Sequence, residues 1–197
     1  MKTGELLKKA NENLSECSIN CAEKTFVNES EAKQFFVRLK TKITNINEWN
    51  EHSAMSSYKL FGTDGELSKD QIIYVGAFIR IALKASGKYD WVRVSGIVES
   101  ANELIITVNP TFDPTAEKVD QNVISHFFTD ASINNFCVIR QDLTTALYVI
   151  GLNEKQNTGE TGHFLESIRN VAVNLATYLG IQNGEWEKFC HSFIGEN

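Results

Sequence analysis

Between residues 29 and 50 the apolar side chains fall at helical spacing: Ala32, Phe35, Phe36, Leu39, Ile43, Ile46 and Trp49 recur every three or four positions. That spacing gathers them into one stripe about 100° wide. Lys33, Arg38, Lys40 and Lys42 fall on the remaining surface, and Asn28 with Glu31 three residues on reads as a capping box. A helix with one face against something apolar follows.

The period then changes to two. A short strand at Tyr58 to Leu60 precedes Gly62-Thr63-Asp64-Gly65, a turn signal. Further strands are expected over 74–83, 91–98, 104–108, 125–128, 135–141 and 146–152, each rich in Val, Ile, Phe, Tyr or Trp. The short gaps at 100–103 and 142–144 suit hairpins, which makes neighbours antiparallel. Residues 109–122, with both prolines, form the one long loop.

Helical spacing returns in Phe164, Leu165, Ile168, Val171, Ala172, Leu175 and Leu179, and Gly180 is expected to stop that helix. A last helix is expected from Asn183, with Trp186, Phe189, Cys190 and Phe193 on one face. At the other end Leu6, Leu7, Ala10 and Leu14 make only a thin stripe, so residues 1–27 read as a weakly helical segment that docks or frays. Residues 28–197 read as a single α+β domain. The expected fold is a curved antiparallel sheet or small barrel of about six to seven strands, packed by an N-terminal helix and a long C-terminal helix. A helix-grip arrangement with an internal cavity and a closed barrel with helices outside both satisfy the pattern.

Four blocks, Trp49-Asn50-Glu51-His52-Ser53, Asp90-Trp91-Val92-Arg93-Val94, His126-Phe127-Phe128-Thr129-Asp130 and Gly151-Leu152-Asn153-Glu154, carry a resemblance. They resemble an uncharacterised group of bacterial cytoplasmic proteins of similar length. The resemblance spans residues 30–193 and implies no activity, since none is known for that group.

Composition narrows the partners. Of 197 residues 42% are hydrophobic and only two are proline, as suits one globular domain. The net charge is −6, but residues 1–50 carry +1 and residues 101–197 carry −7. Such an acidic half repels phosphate backbones, so nucleic acid is not an expected partner. No signal peptide and no membrane span are expected, and four cysteines do not make a disulfide framework. A reducing cytoplasm is the expected location.

The chemistry-bearing residues form no diagnosable active site. Cys17 and Cys21 have a spacing that a helix could use for a metal, and Cys190-His191 could add ligands, but adjacent helical positions point about 100° apart. No metal and no cofactor are expected. Cys137 sits inside an apolar strand, where desolvation makes a thiol inert. No serine lies in a Gly-x-Ser-x-Gly elbow, and no glycine-rich phosphate loop occurs. His126 and Asp130 share a strand face but stand roughly 13 Å apart. They flank a ligand, or else are a strand residue and a turn opener. Glu160 and His163 fall where the long helix begins, and a glutamate there suits the helix end.

One arrangement points to binding. Phe78-x-Arg80, Trp91-x-Arg93 and Phe136-x-x-x-Arg140 each place an aromatic and an arginine on one strand face. Lining a concave surface, they form a pocket for an amphipathic anion. Facing solvent, they are arginine stems laid over rings. Tyr89-Asp90-Trp91 likewise reads as core or as an exposed recognition patch. The expected function is a non-catalytic binding module for a small amphipathic or anionic ligand or a protein partner, using Phe78, Arg80, Trp91, Arg93, His126, Phe136 and Arg140. The alternative is an enzyme with a site assembled around His126, Asp130 and the strand arginines. An apolar cavity between sheet and helix favours the binding module, and a core filled by phenylalanines counts against it.

Overall fold

The computed structural model describes residues 1–83, 89–116, 124, 128–155 and 175–195, with 83 and 175–183 as backbone only. Its elements in chain order are α1 (Thr3–Glu12), β1 (Ser18–Thr25), α2 (Glu29–Ile43), α3 (Ile46–His52), β2 (Ser56–Phe61), β3 (Phe78–Leu83), β4 (Tyr89–Glu99), β5 (Glu103–Pro110), β6 (Ile133–Gln141), β7 (Thr144–Leu152) and α4 (Leu175–Ile194). The strands form one antiparallel sheet in the order β1-β7-β6-β5-β4-β3-β2, curved into a half-barrel. β1 and β2 are its edges, so the barrel is open. Among the described residues no helix is long and apolar enough to cross a membrane.

Period-two patterning sets the two faces. Leu60, Ile79, Val92, Val94, Ile106, Phe136, Val138, Leu147 and Val149 point to the concave face, where α2, α3 and α4 bury them. Ile105, Cys137, Ile150 and Leu152 alternate to the convex face, where Leu6 and Ala10 of α1 cover them. The expected hairpins are present: Glu99 pairs with Leu104 and Gln141 with Thr144. The turn at Gly62 closes with Gly65 N–H donating to the Gly62 carbonyl at 3.0 Å, and Gly65 sits at φ +81, a conformation glycine adopts freely.

Three elements differ from expectation. Residues 18–25 are an edge strand, not helix, pairing with β7 from Ser18 opposite Gly151 to Thr25 opposite Thr144. The helix over 29–50 is two helices. Asn28 caps the first by accepting the Glu31 N–H at 3.0 Å, and Asn45 caps the second by accepting the Asn47 N–H at 3.0 Å. A strap fills the break: Ile46 N–H donates to the Gln71 carbonyl at 2.9 Å and Ile73 N–H to the Thr44 carbonyl at 2.8 Å. The third difference is Gly180, which does not stop a helix; α4 runs through it and past Asn183, and ends beside Gly195 at φ +83. A mid-helix glycine costs about 1 kcal/mol. Burial of Trp186, Phe189, Cys190, Phe193 and Ile194 against the concave face exceeds that. Ser125, His126 and Phe127, residues 117–122 of the long loop, Glu160, His163 and the apolar stripe from Phe164 to Ala172 lie outside the described residues.

Candidate functional site

The space between the concave face and the C-terminal half of α4 is closed by rings. Trp49 of α3 lies 4.4 Å from Phe136 of β6, 5.4 Å from Tyr58 and 5.6 Å from Phe189 by ring centroids. Trp186 lies 5.4 Å from Phe136 and 5.3 Å from Phe189, edge to face in both cases. Such tilted and edge-on pairs are the favoured aromatic geometry. Phe136 is therefore part of this wall, away from the other aromatic–arginine pairs.

Phe78, Arg80, Trp91 and Arg93 come together on the opposite, convex face. Antiparallel register sets Phe78 beside Arg93 and Arg80 beside Trp91. Phe61, Phe78 and Trp91 form a small buried cluster, extended by Phe112 from the loop after β5. The Arg80 guanidinium stands 5.3 Å over the Phe61 ring and 4.2 Å over the Tyr89 ring, and that of Arg93 stands 5.7 Å over Phe78. Lys59, exposed on β2, is the cross-strand neighbour of Arg80. Among the described residues neither guanidinium has a carboxylate within ion-pair distance. The Trp91 indole Nε1 is buried between them in register and has no hydrogen-bond partner among the described residues. A stacked guanidinium keeps its N–H edges for a second partner, and that edge matches carboxylate, sulfonate or phosphate oxygens.

The remaining residues of the expected site lie elsewhere or outside the description. Arg140 stands at the far end of the sheet and is already engaged: Nε and Nη2 donate to Asn102 Oδ1 at 3.1 and 2.6 Å, and Nη1 to the Asp142 carbonyl at 3.2 Å. It ties two hairpin turns together. Asp130 is exposed in the turn that closes with Ser132 N–H on the Thr129 carbonyl at 3.0 Å. Trp91 is 1% exposed, so it belongs to the convex cluster and only Tyr89 of that patch faces water. Burial pushes the Cys137 thiol up to about 12 and raises that of Cys190 as well. Among the described residues no group of three histidines, cysteines or carboxylates is placed to hold a metal.

Sequence reasoning also passed over polar groups that the fold brings to notice. Asn153, at φ +53, turns the chain after β7 so that Glu154 folds back over Gly151. Burial raises the Glu154 carboxyl above its ordinary range, while a hydrogen bond from Ser18 opposes the shift. Glycine followed three residues later by glutamate was the available signal, and nothing in it marks a strand end.

Compared with known proteins, the chain matches no family model and no curated protein. Among solved structures it is similar to the hypothetical protein jhp0584 from Helicobacter pylori, at 7% identity and a TM-score of 0.50, covering 90% of this chain and 86% of that one. A protein from Arthrobacter aurescens is similar at 11% identity and a TM-score of 0.45, covering 91% and 87%. Ara h 8.0201 is similar at 8% identity and a TM-score of 0.43, covering 91% and 99%. At 7% identity the likeness to jhp0584 is one of fold alone.

Proposed function

We propose that the convex face of this chain is a non-catalytic binding surface for small amphipathic anions, recognised by Arg80 and Arg93. The observation that carries the reading is that both guanidiniums are held over aromatic rings and have no carboxylate partner among the described residues. Holding a long side chain in one geometry normally costs rotamer entropy on binding. Stacking on Phe61, Tyr89 and Phe78 removes part of that cost before a ligand arrives. Phe112, packed against Phe78, and the exposed Tyr89 under Arg80 suit an apolar body attached to an anionic head. The aromatic wall under α4 counts against a ligand in a cavity between sheet and helix, because side chains already occupy that part of the concave side, and the reading therefore rests on the convex face.

The test is a fluorescence titration with 8-anilinonaphthalene-1-sulfonate, a planar amphipathic anion. The native chain is expected to bind it saturably and more weakly as salt rises. The double variant Arg80→Ala, Arg93→Ala is expected to lose at least tenfold in affinity, about 1.4 kcal/mol. Arg→Lys at both positions keeps the charge and loses the bidentate edge, so it should fall between. Equal affinity in all three chains would rule the reading out.

A further inference from the structure

Between the turn that follows α3 and the flank of α4 lies a cleft of about 550 Å³, lined by His52, Ser53, Met55, Glu185, Lys188 and Ser192 among others. Glu185, Lys188 and Ser192 are spaced three and four residues apart, so they share one face of α4. The Glu185 carboxylate accepts the Met55 N–H at 3.1 Å, the Ser56 N–H at 3.0 Å and the Ser53 hydroxyl. Those bonds pin the turn, and with it His52, against α4. The His52 ring lies 4.3 Å from that of Phe193, and its Nδ1 is 2.7 Å from Ser192 Oγ. Burial holds the imidazole below its ordinary range, with the Lys42 charge adding to the effect, so the ring is neutral near pH 7. A neutral imidazole has one acceptor nitrogen, and the Ser192 hydroxyl is placed to donate to Nδ1.

We propose that Ser192 is a nucleophile with His52 as its general base, and that the cleft accepts small acyl esters. The 2.7 Å separation is within the reach this pairing requires. In the first step Ser192 Oγ bonds to the ester carbonyl carbon and its proton passes to His52 Nδ1. The bond from that carbon to the alkoxy oxygen then breaks, and the alcohol leaves with the proton. Water next cleaves the acyl–Oγ bond, releasing the carboxylic acid and restoring the serine. Lys188, one turn before Ser192, supplies positive charge for the oxygen that becomes anionic. Met55 offers an apolar flank for the acyl chain. His52 Nε2 is buried without a hydrogen-bond partner among the described residues, so no carboxylate orients the imidazolium through a hydrogen bond, and Glu48 and Glu51 favour it only through their charge. Turnover is therefore slow, and stoichiometric covalent capture is the sharper readout.

The full chain is incubated with an alkyl fluorophosphonate. A bond from Ser192 Oγ to phosphorus forms, the P–F bond breaks, fluoride leaves and the proton goes to His52. The expected result is one adduct per chain by intact mass, mapped to Ser192 by peptide sequencing. Ser192→Ala should give none, and His52→Gln should react roughly 10²-fold more slowly. Circular dichroism of each chain reports whether it is folded. A folded native chain that stays unmodified, an adduct mapped to another residue, or His52→Gln reacting at the native rate overturns the proposal.

Discussion

The rings of Trp49 and Phe136 stand 4.4 Å apart, one from α3 and one from strand β6, and this contact closes the concave face. Trp49 is also tied to the end of α2, its Nε1 donating to the Ile43 carbonyl at 2.9 Å. Truncating a buried ring removes its transfer energy and leaves a cavity, together about 3–5 kcal/mol. Trp49→Ala and Phe136→Ala should each lower stability by that amount in urea denaturation. A loss under about 1 kcal/mol for either would mean the wall does not hold the helices to the sheet.

A second expectation concerns Glu154. Its folded-state carboxyl titrates above the ordinary 4.5, mainly because of burial. A raised folded value means that protonation favours the native state. That contribution is fully present below about pH 4.5 and is lost as pH rises through the folded value. Glu154→Gln, which keeps the shape without the charge, should therefore gain on the native chain as pH is raised through that window. The difference is read from urea midpoints at successive pH values. A pH-independent difference would show that the carboxyl is not buried as described.

The opposite sign holds for His52. Burial, then the Lys42 charge, lowers its imidazole below the ordinary 6.5, so the folded state disfavours the proton. The associated stability is present above about 6.5 and is lost as pH falls through the folded value. His52→Gln should flatten that part of the profile. An unchanged slope in thermal melts between neutral and mildly acidic buffers would contradict this.

The elements that sequence made legible are those whose buried face is apolar throughout. α2 has its stripe, and the hairpins β4–β5 and β6–β7 carry dense apolar runs around short turns. β1 was not legible because its concave positions are Ser18, Asn20 and Ala22, while Ile19 faces α1 on the convex side. The period-two hydrophobic signal is thus missing from the face that packs under α4. Asn45 hid a helix break because the apolar stripe runs on across it from Ile43 to Ile46. Gly180 misled in the other sense, since local propensity yields to the packing of Trp186 and Phe189 one to three turns later.

The placement of the candidate residues was half legible. Alternation alone puts Phe78 with Arg80 and Trp91 with Arg93, and the antiparallel pairing of β3 with β4 makes them one cluster. Which face that cluster occupies was not readable, because β3 has apolar residues on both sides: Ile79 inward, Phe78 outward. Phe136 follows the same local rule yet belongs to the concave face, since its partners Ile106 and Val149 do. The His52–Ser192 contact joins residues 140 apart in sequence, beyond any local pattern.

The convex guanidinium pair is tested most directly by two-dimensional ¹H–¹⁵N NMR of the full chain during titration with 8-anilinonaphthalene-1-sulfonate. The three tryptophans give three indole signals, from Trp49, Trp91 and Trp186. The expected result is that the Trp91 indole N–H and the Arg80 and Arg93 Nε–H signals move together and saturate, with Trp49 and Trp186 unmoved. Movement of Trp186 while Trp91 and both arginines stay still would contradict it, placing the anion under α4 instead.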